Sequence, residues 1–512
     1  MGSGILRFMD PGTIAPSKRM TGSALAERVF RPAFLCIALL VATTFCCVPR
    51  SMADPDIWWH LRNAQMLVST HQFIGTDVYS FTARGARWMN HEWIAELPFY
   101  FGWAVDGERG VYLITVAAVE SLILGIFVLA YRKSRNLGGA LMVSLVAALL
   151  STVSYGPRTI LFGWLLLTVE LLILDASEND ERVLWGLPVL FAVWVNTHGS
   201  WLIGLVMMGG FGVLEARRFR HGKLFCDGMR RSRLVRLGAM WIASVGALFV
   251  NPYGWPLVAY PFNLAFRQKL NVANVLEWKS LDLHSPRGLI LLGLIALLVA
   301  SQLGRGREWR LYELAYLSLG VYAALTYTRF LVLFSVVAAP VMAASFSIEE
   351  HEERGRRRMS PMLSGAVVFF LLCLVYARFR DASRSGAKEE AAFPAEAIPF
   401  LVAHPLQGRV FNECLWGGYM IWHLRAMPVF IDSRLDIFEY NGTLKDYLDI
   451  VRVNNSLALL DRYHIQYVFF EKDTPLVYLL RHAGGWKVDF EEHNLILLER
   501  SGDERRDGSN PM

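Results

Sequence analysis

Residues Gly110 to Tyr131 read GVYLITVAAVESLILGIFVLAY, with Glu120 as their single charged side chain. About 20 such residues, coiled at 1.5 Å each, cover the ~30 Å hydrocarbon core of a bilayer. A helix on the core of a soluble protein would interleave its apolar residues with charge at the 3.6-residue period, and this stretch does not. Ten further apolar stretches flank it, at 33–48, 138–153, 159–174, 184–195, 201–214, 237–250, 288–303, 311–325, 330–346 and 362–376. The whole chain carries the same imprint. It is 54% hydrophobic and 19% charged, against roughly 45–50% and about 25% in soluble domains. The reading is a polytopic α-helical membrane protein with about eleven transmembrane helices.

Charge sets the topology. With the N-terminus inside, the cytoplasmic stretches hold 24 Lys and Arg and the outer loops hold 11 over more residues, as expected of cytoplasmic loops. The stretches 184–195 and 201–214 are short for spans. Fusing them would place the basic run Arg217 to Arg236 outside, so they stay separate. The C-terminus then lies outside, in the periplasm if the membrane is a bacterial inner (plasma) membrane. The expected parts are a cytoplasmic segment 1–32, a transmembrane domain 33–380 with a long first outer loop 49–109, a charged linker 381–392, an extracytoplasmic domain 393–500 and a polar tail 501–512. The 393–500 region alternates strand-like runs (Arg409 to Asn412, Pro428 to Asp432, Tyr467 to Phe470, Leu495 to Leu498) with helical ones (Leu444 to Val453, Leu457 to Tyr463, Pro475 to Ala483). That rhythm predicts a small α/β domain.

The net charge of +6 is no sign of nucleic acid, because the basic residues sit in short runs between spans. The runs Arg217 to Arg236 and Arg354 to Arg358 are expected to face anionic lipid. The six cysteines contain no CxxC pair, so neither a disulfide framework nor a zinc site is expected. No small-residue cleavage site follows the first apolar stretch, and no cleaved leader is expected.

Chemistry concentrates in the first outer loop, at Asp54-Pro55-Asp56-Ile57-Trp58-Trp59-His60-Leu61-Arg62, with Trp88, His91, Glu92, Trp93 and Glu96 downstream. Proline restricts the backbone on either side and helps to aim both acids. Carboxylates serve as bases or metal ligands, and aromatic faces can stack on sugar rings. An interfacial aromatic belt would explain the tryptophans but does not require paired acids beside a proline.

This run resembles the Asp-Pro-aromatic-aromatic-His-x-Arg signature in the first outer loop of oligosaccharyltransferase catalytic subunits, and more broadly the first-loop acidic motif of GT-C class membrane glycosyltransferases. The layout of many helices, a long first outer loop and an outer C-terminal domain is similar too. A second run, Cys414-Leu415-Trp416-Gly417-Gly418-Tyr419, followed by Arg425, Pro428 and Asp432, is similar in placement to the Trp-Trp-Asp-Tyr-Gly region of those subunits. Gly417 or Gly418 stands where that family has an acid that recognises the acceptor peptide's hydroxyl. Its replacement argues against glycosylation of Asn-x-Ser/Thr sequons.

The resemblance implies a polyprenyl-phosphate-linked sugar donor lying among membrane lipids, with a glycan, lipid or protein acceptor outside. Asp54, then Asp56, are the candidate general bases. Trp58, Trp59, His60, Arg62, His91 and Glu92 are candidates for substrate binding. Arg158, Arg287 and Arg329, each at the outer end of a span, are candidates for the leaving phosphate, since a guanidinium forks onto phosphate. Arg158 and Arg287 could equally be snorkelling anchors. His198, in the polar step Asn196-Thr197-His198-Gly199-Ser200, is a ligand candidate or part of a capped turn. Asn251-Pro252-Tyr253-Gly254 reads as a turn, and Glu277 matches a family acid by position only. Mg²⁺ or Mn²⁺ on Asp54, Asp56 and Glu92 is left open. The competing readings are a transporter or lipid flippase, for which Glu120, Glu170 and Glu313 are intramembrane acids, and a non-catalytic scaffold of envelope assembly.

Overall fold

A computed structural model describes residues 32–306, 308–346, 365–374, 376–378 and 393–501. Nearly all of the segment 1–32, the linker 381–392 and nearly all of the tail 501–512 lie outside the described residues, as does the basic run Arg354 to Arg358. The rest is mostly helical. The apolar stretches up to residue 346 fall on helices, and the last falls on Gly365–Arg378. Four helices are long and apolar enough to cross a membrane: Trp93–Ser134, Leu137–Ser154, Pro286–Gly304 and Thr328–Ser345. Others are shorter, among them Trp201–Leu214 and Leu311–Thr326.

Local sequence sets the helix ends. The Asn136 side chain accepts the Gly139 amide hydrogen at 2.8 Å and caps Leu137–Ser151. Ser285 does the same for Pro286–Arg305, which has Pro286 in its first turn and left-handed Gly306 just past its end. Within Trp93–Ser134, Asp106 and Gly107 leave helical geometry, with Gly107 at φ 54°. The apolar half after the break is the stretch that decided the fold.

Two of the loops between the apolar stretches contain helices that the sequence reading did not expect. Asp56–Thr70 begins inside the Asp-Pro-Asp motif, and Trp255–Arg267 with Lys269–Asn274 follows the Asn-Pro-Tyr-Gly turn. On the opposite side the basic run forms a hairpin, Phe219–His221 with Leu224–Cys226, which pairs in parallel with Trp309–Arg310. Some arginines here meet acids, Arg220 pairing with Glu308 at 2.6 Å and Arg236 with Glu181 at 3.5 Å.

The C-terminal segment carries a four-stranded sheet. Arg409–Asn412 lies parallel to Ile465–Glu471, which pairs antiparallel with Leu495–Arg500, and Trp486–Glu492 forms the far edge. Helices Thr443–Val451, Ser456–Arg462 and Pro475–Ala483 lie close to the expected ranges. The expected strand Pro428 to Asp432 is not in the sheet. Val429 instead bridges Ser80 of the first outer loop. The two regions share one hydrophobic core, in which Ile57, Trp58 and Trp88 sit with Phe411, Trp416 and Phe430.

Candidate active site

Pro55 begins a helix readily because it has no amide hydrogen to leave unpaired. Asp54 Oδ1 accepts the amide hydrogen of Asp56 at 3.0 Å. Both carboxylates are thus fixed at one end of Asp56–Thr70, in the wall of a cavity of about 490 Å³. Residues of the turns before Ile160–Ala176 and Leu331–Phe346 and of the C-terminal stretch Ser433 to Asp436 complete that wall.

Arg158 lies between two acids. Its Nε is 2.5 Å from Asp54 Oδ2, and its Nη1 pairs with Glu277. Asp56 Oδ1 receives a hydrogen bond from Trp59 Nε1 at 3.3 Å, and the same nitrogen reaches Ser433 Oγ at 3.1 Å. Burial, and then the neighbouring charge of Asp54, raise the Asp56 pKa above the usual carboxylate value, since both disfavour ionisation. Arg329 is a second guanidinium in the wall. It stacks on Trp278, 4.5 Å from the ring centroid, and among the described residues it has no ion-pair partner.

Glu92 is surrounded by imidazoles, with the Nε2 atoms of His91 and His198 at 3.6 Å and that of His60 at 3.7 Å. Burial opposes its charge, but the imidazoles outweigh burial and hold its pKa below the usual value. His60 also meets buried Glu96, Nδ1 to Oε1 at 2.8 Å. Burial pulls the His60 pKa down, yet Glu96, Glu92 and Asp56 raise it further than that. For His198 burial dominates and takes the pKa to about 3. Its Nδ1 accepts the Ser200 amide hydrogen at 3.0 Å. The neutral ring therefore carries its proton on Nε2, facing Glu92.

Asp54, Asp56, Trp59, His60, His91, Glu92, Arg158, His198 and Arg329 all line this cavity, as does Glu277. Trp58 and Arg62 do not, because Trp59 and His60 take the face of the helix that continues from Asp56. Trp58 packs edge-on against Trp103, Phe393 and Tyr419, and Arg62 donates to Gln65 at 2.6 Å. Arg287 is also elsewhere, donating to Thr152 Oγ1 at 3.1 Å.

Sequence reasoning missed Tyr260, Ser433, Arg434 and Asp436. The Tyr260 hydroxyl donates to Asp436 at 3.4 Å, and burial raises the Asp436 pKa to about 6. For the last three the available signal was the polar run Ser433 to Asp436, just past the expected strand Pro428 to Asp432. The Gly417-Gly418 pair is close-packed. A Cβ on Gly418 would lie 2.4 Å from the Pro55 carbonyl oxygen, and one on Gly417 would lie 2.3 Å from that of Ile431. An acid at Gly418 would push the C-terminal segment off the Asp-Pro-Asp corner, and one at Gly417 would push apart two stretches of the C-terminal segment itself.

The arrangement defines a class by its fold. No family profile and no curated protein matches the sequence. Among solved structures, the apo oligosaccharyltransferase of Archaeoglobus fulgidus aligns with a TM-score of 0.52 at 11% identity, over 93% of this chain and 75% of that one. The oligosaccharyltransferase AglB of the same organism, in complex with an inhibitory peptide and a dolichol-phosphate, aligns with the same score and identity over 85% of this chain and 69% of that one. ArnT of Cupriavidus metallidurans, bound to undecaprenyl phosphate, aligns with a TM-score of 0.52 at 13% identity over 91% of this chain and 97% of that one. The chain is a multi-pass membrane protein whose fold is similar to that of the archaeal oligosaccharyltransferases and of ArnT.

The acids can be tested for a divalent ion. Arg158 already occupies Asp54 and Glu277, and Glu92 faces imidazoles. Among the described residues, the three-ligand set whose atoms lie within 4.8 Å of one another is Glu396, Glu492 and His493, on the surface of the C-terminal segment. Asp54, Asp56 and Glu92 do not converge in that way, and the cavity's donor set does not fit a resident divalent ion.

Proposed function

We propose that the chain is a GT-C-type glycosyltransferase of a bacterial inner membrane. It would move a sugar from a polyprenyl-phosphate-linked donor to an envelope acceptor (glycan, lipid or protein) on the outer side. In this reading the chain crosses the membrane eleven times, with 1–32 inside and 393–500 outside. The observation that carries it is the pairing, in one cavity, of an acid of raised pKa, Asp56, with a cation that has no ion-pair partner among the described residues, Arg329.

The chemistry follows from those charges. The acceptor hydroxyl gives its proton to Asp56 as its oxygen attacks the anomeric carbon. The bond from that carbon to the phosphate oxygen breaks, and the electron pair leaves with the phosphate. Arg329, already desolvated and braced on Trp278, stabilises that charge through its guanidinium fork. Asp54 was the first candidate base, but its Oδ2 is held by Arg158, which favours Asp56 for proton transfer and Asp54 for positioning Arg158. Trp59, His60, His91, Glu92 and His198 shape the space around the reacting groups. No step is assigned to Mg²⁺ or Mn²⁺.

Transfer of radiolabelled sugar from polyprenyl-phosphate donors to an envelope lipid extract tests this. Folded Asp56→Asn is expected to lose about 10²–10⁴-fold in rate, the usual contribution of a positioned base. Undiminished transfer by both Asp56→Asn and Asp54→Asn would remove the first-loop base. One observation favours transport as a second reading: both carboxylate oxygens of buried Glu170, within a span, lack a partner among the described residues. Solute uptake in proteoliposomes that depends on Glu170, without sugar transfer, would establish it.

A further inference from the structure

Asp54, Asp56 and Glu277 come from two outer loops far apart in sequence, yet all three line one cavity. Carboxylates brought together away from water repel one another unless a cation lies between them. Two kinds of cation can do this. A hard divalent ion takes carboxylate oxygens at about 2.0–2.6 Å, and an arginine fork binds them through charged hydrogen bonds. Here the guanidinium of Arg158 is in place, on Asp54 through Nε and on Glu277 through Nη1.

Its delivery is built into the backbone. Arg158 ends the short turn Gly156-Pro157-Arg158, in which its amide hydrogen goes to the Gly156 carbonyl at 2.8 Å. Its own carbonyl accepts the Leu161 amide hydrogen at 3.2 Å, joining the turn to the helix that follows. A Cβ on Gly156 would lie 3.5 Å from Arg158 Cγ and 3.9 Å from Asp54 Oδ2, ordinary contact distances that set the turn beside both arginine and acid.

We propose that Arg158 is the resident cation of this site, filling the position a divalent ion would otherwise take and making the chemistry independent of metal. The consequence for catalysis rests on the glycosyl-transfer reading above, but the occupancy itself does not. An arginine stays protonated and cannot dissociate, so it holds the acids at any ion concentration. Removing it leaves Asp54 and Glu277 without the cation between them, carboxylate oxygens of the kind a hard ion takes.

Mn²⁺ binding to the purified full-length protein, read by electron paramagnetic resonance, tests the occupancy without any activity assay. Wild type is expected to leave micromolar Mn²⁺ free, and any transfer activity is expected to change less than twofold with chelator. Arg158→Ala is expected to bind about one Mn²⁺ per chain, and the double variant Arg158→Ala/Asp54→Asn to bind none. Arg158→Gln, closer in volume, serves as the second variant if the alanine form does not fold. One Mn²⁺ bound by wild type and lost in Asp54→Asn would overturn the proposal, and so would no binding by either folded Arg158 variant. Failure of sugar transfer with every donor would remove the proposed function and leave the metal result standing.

Discussion

Arg434 and Arg329 lie in the wall of one cavity, each against tryptophan, and their surroundings are opposite. Arg434 Nη2 is 2.6 Å from both Asp77 Oδ1 and Asp432 Oδ2, with its guanidinium above the rings of Tyr79 and Trp88 at 4.9 and 4.7 Å. Arg329 has Trp278 beneath it and, among the described residues, no acid within ion-pair distance, with Glu92 and Asp56 acting on it only from farther off. A buried arginine held between two acids joins parts of a fold, here the Asp77 loop to the C-terminal segment. One with no acid at ion-pair distance carries a desolvation cost that an arriving anion can offset. The difference separates what holds this cavity together from what the cavity is expected to hold.

Removing Arg434 should have the largest effect on stability. Arg434→Met strands two buried carboxylates and is expected to cost about 3–5 kcal/mol, read as a lowered unfolding midpoint by tryptophan fluorescence. Arg329→Gln, which breaks no ion pair, is expected to change stability by less than about 1 kcal/mol. Equal losses for the two would erase the distinction.

The next effect depends on pH. Burial holds the Asp436 pKa at about 6 in the folded protein, above about 3.9 when unfolded. The folded state therefore binds more protons between those values, and wild-type stability falls as pH rises from 4 to 6. Asp436→Asn is expected to be neutral near pH 4 and stabilising at pH 7.5 by on the order of 1–3 kcal/mol, measurable by denaturant titration at both pH values. Gly418→Ala probes the same junction by volume. Its Cβ meets the Pro55 carbonyl, and a loss of about 1–3 kcal/mol is expected from overpacking. Wild-type stability in that variant would mean the junction yields easily.

Sequence reading succeeded where the signal is local. The apolar stretches up to residue 346 fall on helices, four of which are long and apolar enough to cross a membrane, and Pro475–Ala483 was readable from its amphipathic pattern and leading proline. The helix at Asp56–Thr70 was obscured because its aromatic and charged residues invited a chemical reading before a periodic one, although Ile57, Leu61 and Ala64 are all buried on it. The edge strand Trp486–Glu492 does carry a signal, Trp486, Val488 and Phe490 alternating with charged residues at the strand period, but it is short and mostly exposed and was missed. Pro428 to Asp432 has strand composition, but its partner is the first outer loop rather than the sheet. At the site, the Asp-Pro-Asp motif was legible as chemistry at one corner. The selection of Arg158 and Arg329 over Arg287, and the presence of Asp436 and Tyr260, depend on tertiary contacts that no spacing in the sequence encodes.

The central claim is that Arg329 awaits the donor phosphate, and binding of radiolabelled undecaprenyl phosphate to purified protein in detergent tests it most directly. Wild type and Asp56→Asn are expected to bind alike, since the base is not needed for binding, while Arg329→Gln is expected to lose at least about tenfold in affinity, the equivalent of one charged hydrogen bond. Unchanged affinity in folded Arg329→Gln would contradict it.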